Sequence, residues 1–107
     1  MKVTDISRLG YKAETPVTEN NVIAAYTGDL LSDVMGNAPD DSVLITIQAH
    51  KNTVAVATLA GIQAIVICNG RAVPDDMKEA AEKERVTIFT TKENQFEVSV
   101  KISQLLK

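Results

Sequence analysis

Tryptophan is absent from this chain of 107 residues, and two Tyr and two Phe are its only aromatics. Ala, Val, Ile and Leu must therefore fill any core, which suits strands packed against small-faced helices. A single cysteine, Cys68, excludes an intramolecular disulfide and fits a reducing compartment. It also excludes an iron–sulfur cluster, which takes about four cysteine ligands. One Cys and one His, His50, give no zinc-ligand spacing, so no metal and no cofactor is expected. Neither Gly-x-x-x-x-Gly-Lys-Ser/Thr nor Gly-x-Gly-x-x-Gly occurs, which argues against ATP-dependent phosphoryl transfer by this chain alone. The longest stretch without a charge, residues 52–70, breaks at Ala60-Gly61 and reads as a buried helix and a buried strand, not a membrane span. Met1-Lys2-Val3-Thr4-Asp5 is no apolar leader, so a cytoplasmic protein is expected. No long basic block is present either. The net charge is −3 and the lysines are scattered, so neither nucleic acid nor membrane is an expected partner. A small anionic ligand remains compatible, because backbone amides at helix N-termini bind anions with little net positive charge.

What is present is the composition of a globular domain, with 45% hydrophobic and 23% charged residues. The length fits one domain over residues 1–107. Val3, Ile6 and Leu9 recur at helical spacing up to Gly10, so a short first helix is expected over 3–9. Residues 11–14 read as a short strand and 16–21 as a loop. Strands are expected over 22–26, 42–48, 64–68 and 86–90. Helices are expected from about 29 to 35, over 52–59, from Pro74 to about 84, and over 94–106. Asp29 or Ser32 is the expected N-cap of the first of these, and Pro74 the first helical residue of the third. Met77, Ala80 and Ala81 should face inward, as should Phe96, Val100 and Leu105. The alternation from residue 22 onward predicts an α/β fold: a single three-layer domain with a mostly parallel central sheet and helices on its faces.

In open α/β sheets, ligands bind beyond the carboxyl ends of the strands. The four strand ends read here carry Thr27-Gly28-Asp29, Gln48-Ala49-His50-Lys51-Asn52, Asn69-Gly70-Arg71 and Thr90-Thr91-Lys92. Turn chemistry alone accounts for much of this composition. The sharper reading is a small polar pocket on one rim. Its candidate residues are Thr27, Gly28, Asp29, Gln48, His50, Asn52, Asn69, Gly70 and Thr91. Gly28 would let backbone approach a ligand, whereas Asp29 would repel a phosphate and fits plain capping better. His50 offers acid–base chemistry or a hydrogen bond, but no nucleophile can be assigned to it. Cys68, at the end of the most apolar strand, reads as an inert buried thiol.

Three segments carry a family resemblance: Tyr26-Thr27-Gly28-Asp29-Leu30-Leu31-Ser32-Asp33-Val34, Thr46-Ile47-Gln48-Ala49-His50-Lys51-Asn52 and Ala64-Ile65-Val66-Ile67-Cys68-Asn69-Gly70. With Thr90-Thr91-Lys92-Glu93-Asn94-Gln95-Phe96-Glu97, they resemble the DRTGG-domain family. That family is similar to the N-terminal domain of HPr kinase/phosphorylase. It also occurs as an accessory module in CBS-domain proteins and phosphate acetyltransferases. Its stand-alone members are often encoded beside hydrogenase subunits. The resemblance implies a non-catalytic regulatory or ligand-binding accessory module. The expected partners are a second copy in a homodimer, a small anionic ligand or nucleotide, or a subunit of a redox complex. Two rivals stay open: a small enzyme using His50 with Asp29 or Asn52, and a purely structural subunit.

Overall fold

The computed structural model describes residues 1–107. Its elements are α1 (Val3–Ser7), β1 (Lys12–Ala13), β2 (Ala24–Thr27), α2 (Leu31–Asn37), β3 (Ser42–Thr46), α3 (Lys51–Ala60), β4 (Ile62–Ile67), α4 (Asp75–Lys83), β5 (Thr87–Thr90) and α5 (Gln95–Leu105). The sheet order is β1-β5-β4-β3-β2. Strands β2 to β5 are parallel, and β1 joins β5 antiparallel. The expected three-layer α/β fold is the one observed.

Strand order places the helices. Consecutive parallel neighbours joined by right-handed crossovers send every crossover helix to the same face. Val34 of α2, Val54 and Ala57 of α3, and Met77 and Ala81 of α4 accordingly pack with Leu44, Ile65, Ile67 and Ile88. The opposite face buries Val43, Ile45, Ala64, Val66 and Phe89 under Val3 and Ile6 of α1 and Val98 and Ile102 of α5. Strands β3 and β4 are covered on both sides, which explains their nearly continuous apolar sequence.

Several local expectations shift. Strand β2 begins two residues late, because Val22 and Asn21 are tied to the N-terminus: the Val22 N–H donates to the Met1 carbonyl at 2.8 Å, and Asn21 bridges Lys2. Pro74 is the N-cap of α4 rather than its first residue. Its ψ of 152° is extended, and its carbonyl accepts from the Met77 and Lys78 amides. Phe96 and Val100 point outward, with 76% and 42% exposure, while Val98 and Ile102 are fully buried. Each helical residue turns by about 100°, so a stripe through 98 and 102 leaves 96 and 100 about 200° away from one or the other. The apolar character of Phe96 masked that offset. Asn94 caps α5 through the Glu97 amide at 2.9 Å, and Glu97 reciprocates at the Asn94 amide.

Candidate functional site at the strand-end rim

The expected rim exists, but its parts behave differently. At the β2 end, Asp29 does not cap α2. Leu30 holds the N-cap position without any side-chain bond. The Asp29 carboxylate turns inward instead, and its Oδ1 accepts from the Thr46 hydroxyl, the Ile47 amide and the Gln95 side-chain amide, each at 3.0 Å. Its carbonyl accepts from Gln48 Nε2 at 2.8 Å. Three donors converging from β3 and α5 outcompete one helix amide, so Asp29 is a structural hub. Gly28 donates its amide to the Ile45 carbonyl, and Thr27 pairs its hydroxyl with Ser99 on α5. The Thr27-Gly28-Asp29 end is thus closed by its own hydrogen bonds.

At the β4 end, Asn69 and Gly70 both have positive φ, 64° and 66°. This double left-handed turn swings the chain toward α4. Both amides are already engaged, Asn69 with the Glu93 carbonyl and Gly70 with that of Thr91, at 2.9 Å each. The Asn69 and Gly70 amides are therefore consumed within the fold and do not face a ligand.

Side chains supply the positive charge instead. The chain leaving β4 enters α4 on one face, whereas the chain leaving β5 enters α5 on the other. Adjacent strands that diverge in this way open a crevice at their carboxyl ends. A cavity of about 590 Å³ lies there, lined by residues of the β4–α4 and β5–α5 loops and of the segment around β1. Four cations line it, Lys12, Arg71, Lys78 and Lys92, against one carboxylate, Glu14. Gly70 and Thr91, both expected site residues, are also in the lining. A chain of net charge −3 thus concentrates a local excess of three positive charges at one strand end.

Glu14 anchors this cavity. Its carboxylate is 3.2 Å from Lys78 and 3.7 Å from Lys12, and it accepts from the Thr90 hydroxyl at 2.8 Å. Burial opposes its ionisation, but Thr90, Lys78 and Lys12 together outweigh that and hold its pKa below the ordinary value. Neither Lys12 nor Lys78 donates to any other carboxylate, and Arg71 and Lys92 form no ion pair.

A second concavity of about 360 Å³ adjoins the first. Ile47, Gln48, Ala49 and His50 line it, with Arg71 and Ala72 shared between the two. His50 is exposed at the N-cap of α3 and makes no capping bond. With the Asp29 carboxylate committed elsewhere, the two do not form an acid–base pair. Asn52 is exposed on α3 and lines neither cavity. Of the expected residues, Gln48, His50, Gly70 and Thr91 come together on this rim; Thr27, Gly28, Asp29, Asn52 and Asn69 do not line it. Sequence reading missed Lys12, Glu14, Arg71, Lys78 and Lys92. Arg71 and Lys92 stood inside the quoted strand-end segments, next to residues singled out. Lys12, Glu14 and Lys78 reach the rim only through the β1–β5 pairing and the position of α4.

The DRTGG domain model matches residues 8–105. The chain belongs to the DRTGG domain family. Its fold is similar to the crystal structure of the CBS and DRTGG domains of the regulatory region of Clostridium perfringens pyrophosphatase, complexed with the activator diadenosine tetraphosphate. The TM-score is 0.69 at 15% identity, over 92% of this chain and 44% of the other. This DRTGG domain thus spans less than half the length of that chain. No curated protein matches it. No helix is long and apolar enough to cross a membrane, and no three His, Cys, Asp or Glu side chains are grouped to hold a metal ion.

Two groups at this strand end have raised pKa values. Cys68 is fully buried, and burial, helped by the charges of Asp29 and Glu93, pushes its thiol up to about 11 from an ordinary 9.0. Tyr11 is raised further by burial and by donating to Glu93 at 2.7 Å. Both groups hold their protons more tightly folded than unfolded. Their stabilisation is complete below the unfolded pKa and is lost as pH rises through the folded one. The urea midpoint should therefore fall as pH rises from 9 to 11, and Cys68→Ala should flatten that fall. A parent midpoint constant over this window, or an identical fall in Cys68→Ala, would contradict the assignment.

Proposed function

We propose that this DRTGG domain is a non-catalytic regulatory module that binds a small anionic ligand on its strand-end rim. The cluster of Lys12, Arg71, Lys78 and Lys92 around a single carboxylate at the β4–β5 crevice carries the reading. Four cations this close repel one another, and an anion relieves the repulsion. A groove between α3 and α4, about 500 Å³, is the rival location. Its charges, Lys51 and Lys83 against Asp76, Glu79 and Glu84, leave it slightly negative and unsuited to an anion.

A module of the HPr kinase/phosphorylase N-terminal type would pass its ligand state to a second copy or to a redox partner such as a hydrogenase subunit. Sequence resemblance supports the hydrogenase setting. For a second copy there is also the edge strand β2, whose outer side has no neighbour in the sheet. Ile23, just before it, is 70% exposed.

A thermal-shift series with phosphate, pyrophosphate and tripolyphosphate tests the reading. The melting temperature should rise with ligand charge and, above Kd, with the logarithm of ligand concentration, because ligand at 100 times Kd stabilises the native state by about 2.7 kcal/mol. The rise should shrink in 0.5 M salt, roughly a fivefold increase over low-salt buffer. Equal shifts with sodium chloride at matched ionic strength would overturn it.

A further inference from the structure

We infer that the rim takes a nucleoside polyphosphate, with the phosphates in the basic cavity and the nucleoside in the adjoining concavity beside His50. The inference rests on the anion-binding reading above and names its ligand. Two observations point to this class. First, the basic cavity holds an excess of three positive charges after Glu14 is counted. A monophosphate or a single carboxylate would leave much of that unbalanced, whereas a diphosphate or triphosphate would match it. Second, the basic cavity is not isolated. Arg71 and Ala72 line both it and the concavity over the β3 end, so a ligand leaving one enters the other past Arg71.

The second concavity differs in character. Ile47, Ala49 and Ala72 give it apolar walls, and its remaining lining is Gln48, His50 and the shared Arg71. It holds no carboxylate and no lysine. An imidazole and a guanidinium are the two side chains on which a flat heterocycle stacks with partial charge complementarity. Gln48 is held in place: Nε2 donates to the Asp29 carbonyl at 2.8 Å, and its own carbonyl accepts from Thr53 at 2.7 Å. That wall is therefore rigid before the ligand arrives, which limits the ordering cost on binding. Arg71, exposed and free of any ion pair, can meet the phosphate nearest the ribose from the shared wall.

Glu14 sets a sign that distinguishes this site from a generic basic surface. Its carboxylate occupies Lys78 and Lys12 and competes with the ligand for them. Removing its charge should tighten binding instead of weakening it.

Calorimetric titration of the full chain with metal-free adenosine triphosphate, guanosine triphosphate, inorganic tripolyphosphate and adenosine tests the inference. At least one nucleotide should bind more tightly than tripolyphosphate, by roughly tenfold, the size of one stacked base. Adenosine alone should bind far more weakly than either. His50→Ala should bring the nucleotide down to the tripolyphosphate level and leave tripolyphosphate unchanged. Arg71→Ala should weaken both, and Glu14→Gln should strengthen both. If tripolyphosphate matches both nucleotides, or His50→Ala leaves nucleotide affinity intact, the nucleoside assignment is lost while the anion site stands. If neither tripolyphosphate nor nucleotide binds, the anion reading fails with it.

Discussion

Asp29→Ala should destabilise the domain by roughly 2–4 kcal/mol, the largest loss expected for any single strand-end residue. The carboxylate receives the Thr46 hydroxyl, the Ile47 amide and the Gln95 side chain. Thr46 is fully buried, and its oxygen in turn accepts from the Gln48 amide at 3.1 Å. Truncation therefore orphans donors in the turn after β3 and loosens the tether between the start of α5 and the end of β2. Removing one partner of a covered hydrogen bond costs the desolvation of the other. Asp29→Asn keeps an accepting oxygen and should lose clearly less. Urea unfolding of the three proteins decides the matter. An unchanged midpoint in Asp29→Ala would show that solvent replaces the carboxylate and that it is no hub.

Lys78→Glu should weaken tripolyphosphate binding by on the order of 100-fold at low salt. Lys78 sits 3.2 Å from Glu14, with its side chain 36% exposed. Reversal cuts the local excess from three positive charges to one and sets two carboxylates side by side. Lys83→Glu makes the same change in net charge on the same helix, but Lys83 lines the α3–α4 groove instead. It should alter affinity by no more than about twofold. Comparable losses in both variants would mean that overall charge, not the β4–β5 crevice, governs binding. Circular dichroism of Lys78→Glu separates lost binding from lost folding.

Elements were legible in the sequence wherever a local signal and a tertiary demand agreed. The apolar run from Ala64 to Cys68 could only be a covered strand, and it is the centre of the sheet. Pro74 followed by two aspartates announced α4 to within one residue. The failures came where tertiary partners decided. Asp29 has the chemistry of a cap, and nothing local shows that three donors from residues 46, 47 and 95 will claim it. Phe96 looks like core by type, but the stripe through Val98 and Ile102 had already fixed the buried face. The site was half visible for the same reason. Strand-end loops are contiguous in sequence, so Gln48, His50, Gly70 and Thr91 could be named. The cations that give the cavity its sign come from four separate segments, and only the β1–β5 pairing and the opposite placement of α4 and α5 assemble them.

Amide shifts of the labelled protein, followed by NMR during titration with tripolyphosphate, test the central claim most directly. At 107 residues, every backbone amide should be individually resolvable. Binding at the β4–β5 crevice predicts saturable shifts concentrated at Gly70, Arg71, Ala72, Thr91 and Lys92, with Lys12 and Lys78 included, and one Kd common to all. Shifts centred instead on Val54, Leu59 and Glu79 of the α3–α4 groove, or no saturable shift at all, would contradict it.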